Sequence, residues 1–208
     1  ERELGTIELI NSIVPKSKRG AGPTVGEYFY FAWVNRLIDP KSKRALEEWY
    51  GRTAVQEIHP VQVDLLTSQQ YWKKWDRVSE EAVEKIGQAF FRKVWAMQKL
   101  PPECVVFDTT NYFTYMASDT DSDLCQRGHN KQSRHHLRQV GGALLVDRTT
   151  QLPLYYGAYE GNRHDSKVFQ QVIDEMFGVL LGFNQTKQRL TIVFDKGMNG
   201  DENIESID

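Results

Sequence analysis

The sequence predicts an α/β protein. A mixed sheet core in residues 101–208 follows an all-helical region in residues 24–100 and a flexible basic segment in residues 1–23. Three observations predict it. Apolar residues recur every three or four positions through residues 24–99, with capping residues at the breaks. Pro101-Pro102 then ends the helical pattern, and short β-prone apolar runs replace it. The charge balance changes at the same place: residues 1–100 carry 16 Lys and Arg against 13 Asp and Glu, whereas residues 101–208 carry 10 against 15. A composition of 40% hydrophobic and 26% charged residues excludes collagen-like, coiled-coil and wholly disordered chains. No run approaches the ~18 apolar residues of a membrane span. Glu1-Arg2-Glu3-Leu4 puts charge where a secretory signal needs an apolar stretch. Cys104 and Cys125 are too few for a disulfide framework, so a cytoplasmic location is expected.

Taken in order, residues 15–23 (Pro-Lys-Ser-Lys-Arg-Gly-Ala-Gly-Pro) read as a linker, because two prolines and two glycines break any element. Thr24 with Glu27 three positions on is a capping box that opens a helix ending before Pro40. Residues 42–50 form a short helix stopped by Gly51. Thr67 with Gln70 repeats the cap spacing ahead of Tyr71, Trp72 and Trp75, with Trp72 and Trp75 expected in the core and Lys73 and Lys74 expected in solvent. Ser79 caps a longer helix in which Val83, Ile86, Phe90, Val94 and Met97 step by three or four on one buried face. Beyond residue 103, Cys104 to Phe107 is a strand that stops at Asp108. Val140 to Val146 and Leu152 to Tyr159 form a hairpin, a helix runs from Asp165 or Ser166 to about Leu181, and Leu190 to Phe194 is a last strand ending in Asp195. Gly197 and Gly200 follow, and Asp201 begins another helix.

The two Phe-Asp junctions, Phe107-Asp108 and Phe194-Asp195, each set a carboxylate where a buried strand surfaces. The helix before the second favours parallel pairing of the two strands. Neighbouring strands lie ~4.8 Å apart, so the two side chains can converge. Bare carboxylates that close repel, unless a hard divalent cation such as Mg²⁺ sits between them. Two such ions serve phosphoryl transfer by activating the attacking oxygen and stabilising the leaving one. A strand, hairpin, helix and strand in this order is the topology of the ribonuclease-H-like fold, which is expected to be incomplete here at its carboxyl end.

Four segments extend this pattern: Asp108-Thr109-Thr110-Asn111-Tyr112-Phe113, Arg127-Gly128-His129-Asn130-Lys131, Gly157-Ala158-Tyr159-Glu160-Gly161-Asn162 with Asp165 and Ser166, and Asp195-Lys196-Gly197 with Glu202-Asn203-Ile204. Together they resemble the DDE transposases of bacterial insertion sequences, and among these the insertion-sequence-four group. The resemblance implies a ribonuclease-H-like catalytic core preceded by helices for DNA contact or assembly. It implies Mg²⁺ or Mn²⁺ held by Asp108 and Asp195, double-stranded DNA as partner, and a homodimer in the active complex. Water would attack at a transposon end, and the freed 3′-hydroxyl would then attack target DNA. That family's third acid is a glutamate on a later helix, within a Tyr-Arg-Glu-Lys signature. Glu202 and Glu205 lie too close behind Asp195 to be it, so the chain is expected to be truncated before that acid and inactive by itself.

Other signals carry less. Arg127, His129, Lys131, Arg134, His135, His136 and Arg138 form a basic segment expected beside the carboxylates. Arg127, His129, Lys131 and Arg134 are the candidates for DNA phosphate contact, with a solvated loop as the alternative. Cys125 and His129 lack a second pair at zinc-finger spacing. The Asp119-Thr120-Asp121-Ser122-Asp123 run has Leu124 where a calcium loop needs glycine. Two other functions stand beside the transposase: a catalytically inactive, transposase-derived DNA-binding relic, and an aspartate-nucleophile phosphatase. The phosphatase would need an aspartate where Thr110 stands.

Overall fold

The computed structural model describes residues 3–15, 22–97, 102–117, 119–130, 132–163, 168–169, 175 and 190–195. The chain divides into two units, Glu1–Lys93 and Val94–Asp208.

The first unit is helical: α1 (Thr6–Ile13), α2 (Val25–Ile38), α3 (Leu46–Gly51), α4 (Val55–Ile58), α5 (Ser68–Trp75) and most of α6 (Glu80–Ala96). Helix α1 falls within the segment read from sequence as flexible. Its Leu9 and Ile10, with Val14, pack on Val25 and Ile86, so an apolar face outweighs the neighbouring linker's composition. Asn11 ties the two helices together, donating from Nδ2 to Thr24 Oγ1 at 3.0 Å and accepting at Oδ1 from Gly26 N at 3.0 Å. Residues 16–21 of the linker lie outside the described residues.

The capping box of α2 forms in full. Thr24 Oγ1 accepts from Glu27 N at 3.2 Å, and Glu27 Oε2 accepts from Thr24 N at 2.6 Å. The other Glu27 oxygen meets His59 Nε2 at 2.9 Å. Burial pushes the Glu27 carboxyl up, but the Thr24 amide, His59 and the Thr24 hydroxyl outweigh it, and the net displacement is below the usual glutamate value. A carboxylate depressed on folding contributes stability above its unfolded pKa and loses it as pH falls through the lower, folded value. Glu27→Gln is therefore expected to flatten the acid side of the stability profile. Thr24→Ala is expected to cost about 1 kcal/mol, both read by urea unfolding.

Tyr28, Phe31, Trp49, Tyr50, Leu66 and Tyr71 form the larger core cluster of this unit. The Tyr28 hydroxyl donates to Leu65 O, and burial pushes its pKa up to about 12. In α5 the buried positions are Tyr71 and Lys74, with Trp75 stacked on Phe29 at 4.3 Å, while Trp72 is exposed. Lys74 and Trp72 thus exchange the environments expected for them, because the packed face is set by the Tyr71–Trp75 step, four residues apart. In α6, Ser79 Oγ accepts from Ala82 N at 3.2 Å, and Ala82, Ile86 and Ala89 line the packed stripe. Val83 and Met97 are exposed: Val83 lies to one side of that stripe and Met97 beyond the helix end.

The second unit holds one four-stranded sheet of β1 (Cys104–Thr114), β2 (Arg138–Asp147), β3 (Pro153–Glu160) and β4 (Thr191–Val193), ordered β3-β2-β1-β4. Both β1–β2 and β2–β3 are antiparallel, and β4 joins β1 in parallel. This mixed sheet, an antiparallel hairpin with a parallel strand beside β1, has the strand order and directions expected from the sequence. Asp147 builds the β2–β3 turn by accepting from the Thr150 hydroxyl at 2.5 Å and the Thr150 amide at 2.9 Å. Burial raises its pKa, yet the Thr150 hydroxyl and the Thr150 and Thr149 amides leave the carboxyl below the ordinary aspartate range. Val105, Phe107, Leu145, Leu154, Val168 and Phe169 are buried, and Trp95 Nε1 donates to Leu154 O at 3.3 Å. The helix expected from Asp165 to Leu181 falls largely outside the described residues; residues 168, 169 and 175 within it are helical. Residues 196–208, with Glu202 and Glu205, lie wholly outside them. Among the described residues no helix is long and apolar enough to cross a membrane.

Candidate metal and nucleic-acid site

Alternation along β1 sets which side chains face the core. Val105 and Phe107 are buried at 0% and 2% exposure, so Asp108 emerges on the opposite, solvent-facing side. Strand β1 does not stop at Asp108: it continues to Thr114, because Thr109 to Thr114 pair without interruption with Ala143 to Arg138 of β2. Asp108 therefore sits mid-strand, opposite half-exposed Leu144, and its Oδ1 accepts from Thr109 N at 2.8 Å.

The parallel register runs Cys104↔Thr191, Val105↔Ile192, Val106↔Val193, a constant offset of 87 residues. Asp108 and Asp195 are separated by the same 87 residues; β4 itself ends at Val193, two residues before Asp195, and the same register continued past it would set Asp195 level with Asp108. Ring contacts follow the same register. Phe107 meets Phe169 at 5.4 Å and Phe194 meets Phe169 at 4.8 Å, so both phenylalanines turn to one side of the sheet. The residue after each phenylalanine is an exposed aspartate. Mg²⁺ and Mn²⁺ take one or two carboxylates and complete their shell with water or phosphate, so a pair of exposed aspartates is a donor set of the right chemistry. Among the described residues, no group of three or more His, Cys, Asp or Glu is gathered for a metal.

The basic segment lies elsewhere. Arg127, His129 and Arg134 are exposed in the connection from β1 to β2. Arg127 Nε donates to His136 O at 3.3 Å, the His129 and His135 rings stack at 5.6 Å, and the Arg134 guanidinium sits 5.4 Å from the Phe113 ring. Phe113 is five strand residues beyond Asp108, about 17 Å along β1. The expectation of a basic patch beside the carboxylates is thereby corrected: the strand's extra length carries that loop to its far end. Lys131 lies outside the described residues.

Two of the glycine motifs meet in space. A Cβ on Gly128 would lie 2.1 Å from Gly161 O, and one on Gly161 would lie 1.9 Å from Gln139 O, so both positions accept only glycine. Gln139, 1% exposed, locks the junction by donating from Nε2 to Gly161 O at 2.7 Å and to His129 O at 3.0 Å. Its backbone bridges to Gln126. Asn130 Oδ1 accepts from Arg134 N at 2.9 Å, which shapes the turn carrying the exposed cations. No sequence signal singles out Gln139, since a glutamine near a strand start has no special spacing.

No family model and no curated protein sequence matches the chain. Among solved structures, it is similar to the Mos1 transposase paired-end complex with left transposon end (10% identity, TM-score 0.35), over 93% of this chain and 59% of that one. It is similar to the mariner Mos1 paired-end complex with Mg at 12% identity and TM-score 0.33, over 93% and 59%. It is also similar to the piggyBac transposase synaptic complex with hairpin DNA at 12% identity and TM-score 0.42, over 97% of this chain and 50% of that one. The chain thus spans between half and three-fifths of the length of these structural neighbours.

Proposed function

We propose that this chain is part of a DDE-type DNA transposase of the insertion-sequence-four kind, acting by metal-dependent phosphodiester hydrolysis and strand transfer. The observation that supports the reading is the 87-residue separation of Asp108 and Asp195, which equals the β1–β4 offset. The four sequence motifs supply the choice of DNA as substrate. In this reading Asp108 and Asp195 hold Mg²⁺ or Mn²⁺. A divalent cation held there would supply charge neutralisation at the scissile phosphate and activation of the attacking water. Asp108 and Asp195 would hold it, each following a phenylalanine whose ring meets Phe169. Water adds to a phosphorus at the transposon end and the bond to the 3′-oxygen breaks, leaving a 3′-hydroxyl and a 5′-phosphate. That hydroxyl then attacks a target phosphodiester, exchanging one P–O bond for another. Arg127, His129, Lys131 and Arg134 contact DNA phosphates, and two copies of the protein join the two ends.

The test is Mn²⁺ binding to the 208-residue chain, followed by water-proton relaxation. Asp108→Asn or Asp195→Asn is expected to weaken binding about tenfold or more, since each removes one of few hard ligands. Unchanged Mn²⁺ affinity in both variants would overturn the reading.

A further inference from the structure

The far end of the β1–β2 pair carries a cleft that the carboxylates do not use. It has a volume of about 340 Å³, and Tyr115, Met116, Leu137, Arg127, His136 and Arg138 line it with Thr114, the last residue of β1. That volume is in the range of small-molecule sites and suits one nucleotide. Its lining divides into an apolar part (Tyr115, Met116, Leu137) and a polar part with two arginines (Arg127, His136, Arg138), and among the described residues no lining residue is acidic. Asp119, Asp121 and Asp123, on the loop whose Thr120 carbonyl holds Arg138, are exposed and outside the lining.

We propose that this cleft binds one unpaired nucleotide of a DNA strand, the base against the Tyr115 ring and the phosphate against Arg127 and Arg138. Tyr115 is 81% exposed, a phenol ring left in water at the rim of the cleft. A base inside a duplex has both faces covered by its neighbours, so an unpaired base is the better partner for such a ring, and base–aromatic stacking is largely indifferent to sequence. The Arg127 Nε–H is committed to His136 O at 3.3 Å, which orients the planar guanidinium and leaves its two terminal amino groups for phosphate oxygens. Arg138 Nη1 is anchored on Thr120 O at 2.5 Å, so the second cation is held in place before any ligand arrives. The inference takes its ligand, DNA, from the proposed function, and adds a strand contact separate from the aspartate pair.

The experiment is fluorescence anisotropy of labelled oligothymidine and of a duplex of equal length, titrated with the 208-residue chain in EDTA. Tyr115→Ala is expected to weaken single-strand binding about tenfold while changing duplex binding less than about twofold. Tyr115→Trp should restore the single-strand affinity. Arg127→Gln and Arg138→Gln should each lower the slope of log affinity against log salt by about 0.7 for the single strand. Single-strand affinity unaltered in Tyr115→Ala, or an equal loss for the duplex, would overturn the proposal. Because no divalent cation is present, the titration does not read the aspartate pair. Failure of the metal site would therefore leave this result standing, and loss of the single-strand preference with Mn²⁺ binding intact would remove the cleft alone.

Discussion

Asp108→Asn and Asp195→Asn are each expected to reduce the proposed Mg²⁺-dependent strand cleavage about a thousandfold. The magnitude follows from the several kcal/mol that a metal-held charge contributes to a phosphoryl-transfer transition state, ~4 kcal/mol being three powers of ten. Asparagine preserves the side-chain volume and removes one negative charge, so β1, whose ladder with β2 runs through Asp108, keeps its backbone pairing. The variants should therefore unfold at the same denaturant concentration as the parent while losing activity. Undiminished cleavage in either variant would end the assignment of that residue. A phosphatase using Asp108 as nucleophile predicts a different result: loss on Asp108→Asn and full activity on Asp195→Asn.

Gly161→Ala is the substitution expected to damage the second unit most. The added methyl would lie 1.9 Å from the carbonyl oxygen of Gln139 and 2.8 Å from that of Gln126, and both obstacles are backbone, which no rotamer change can move. Overpacking of this kind costs about 3 kcal/mol or more, because strands must shift to relieve it. Gly128→Ala meets the same junction from the other side, 2.1 Å from Gly161 O. The double variant should accordingly cost less than the sum of the two, since either one alone already opens the contact. Hydrogen exchange is expected to accelerate in β2, β3 and the loop after Leu124, with helices α2 and α5 of the first unit unchanged. Either glycine variant unfolding within about 0.5 kcal/mol of the parent would show that the junction is not tight.

The parts of this structure readable from the sequence are those governed by neighbours along the chain. The Thr24–Glu27 box is one, because both partners lie within a single helical turn and the geometry is local. The β2–β3 hairpin is another, with Asp147 and Thr150 closing its turn across three residues. Other features were hidden. The burial of Lys74 depends on Tyr71 and Trp75 meeting α2, a contact made across the core. The order in α1 depends on Val25 and Ile86, well separated in sequence from Leu9 and Ile10. The length of β1 beyond Asp108 depends on β2 supplying a partner for every residue to Thr114, although Thr109 to Asn111 carry no apolar signal.

The candidate site divides the same way. The sequence by itself determined that two aspartates follow two phenylalanines 87 residues apart, each at the end of an apolar β-prone run, and that a basic segment lies between them. Only the tertiary structure decided that 87 is also the register offset of β1 and β4, that Phe169 receives both phenylalanines, and that the basic loop sits at the other end of the strand. The physical reason is that strand register and loop placement are set by pairing and packing between distant segments. Alternation and capping, by contrast, are set by the backbone geometry of each segment alone.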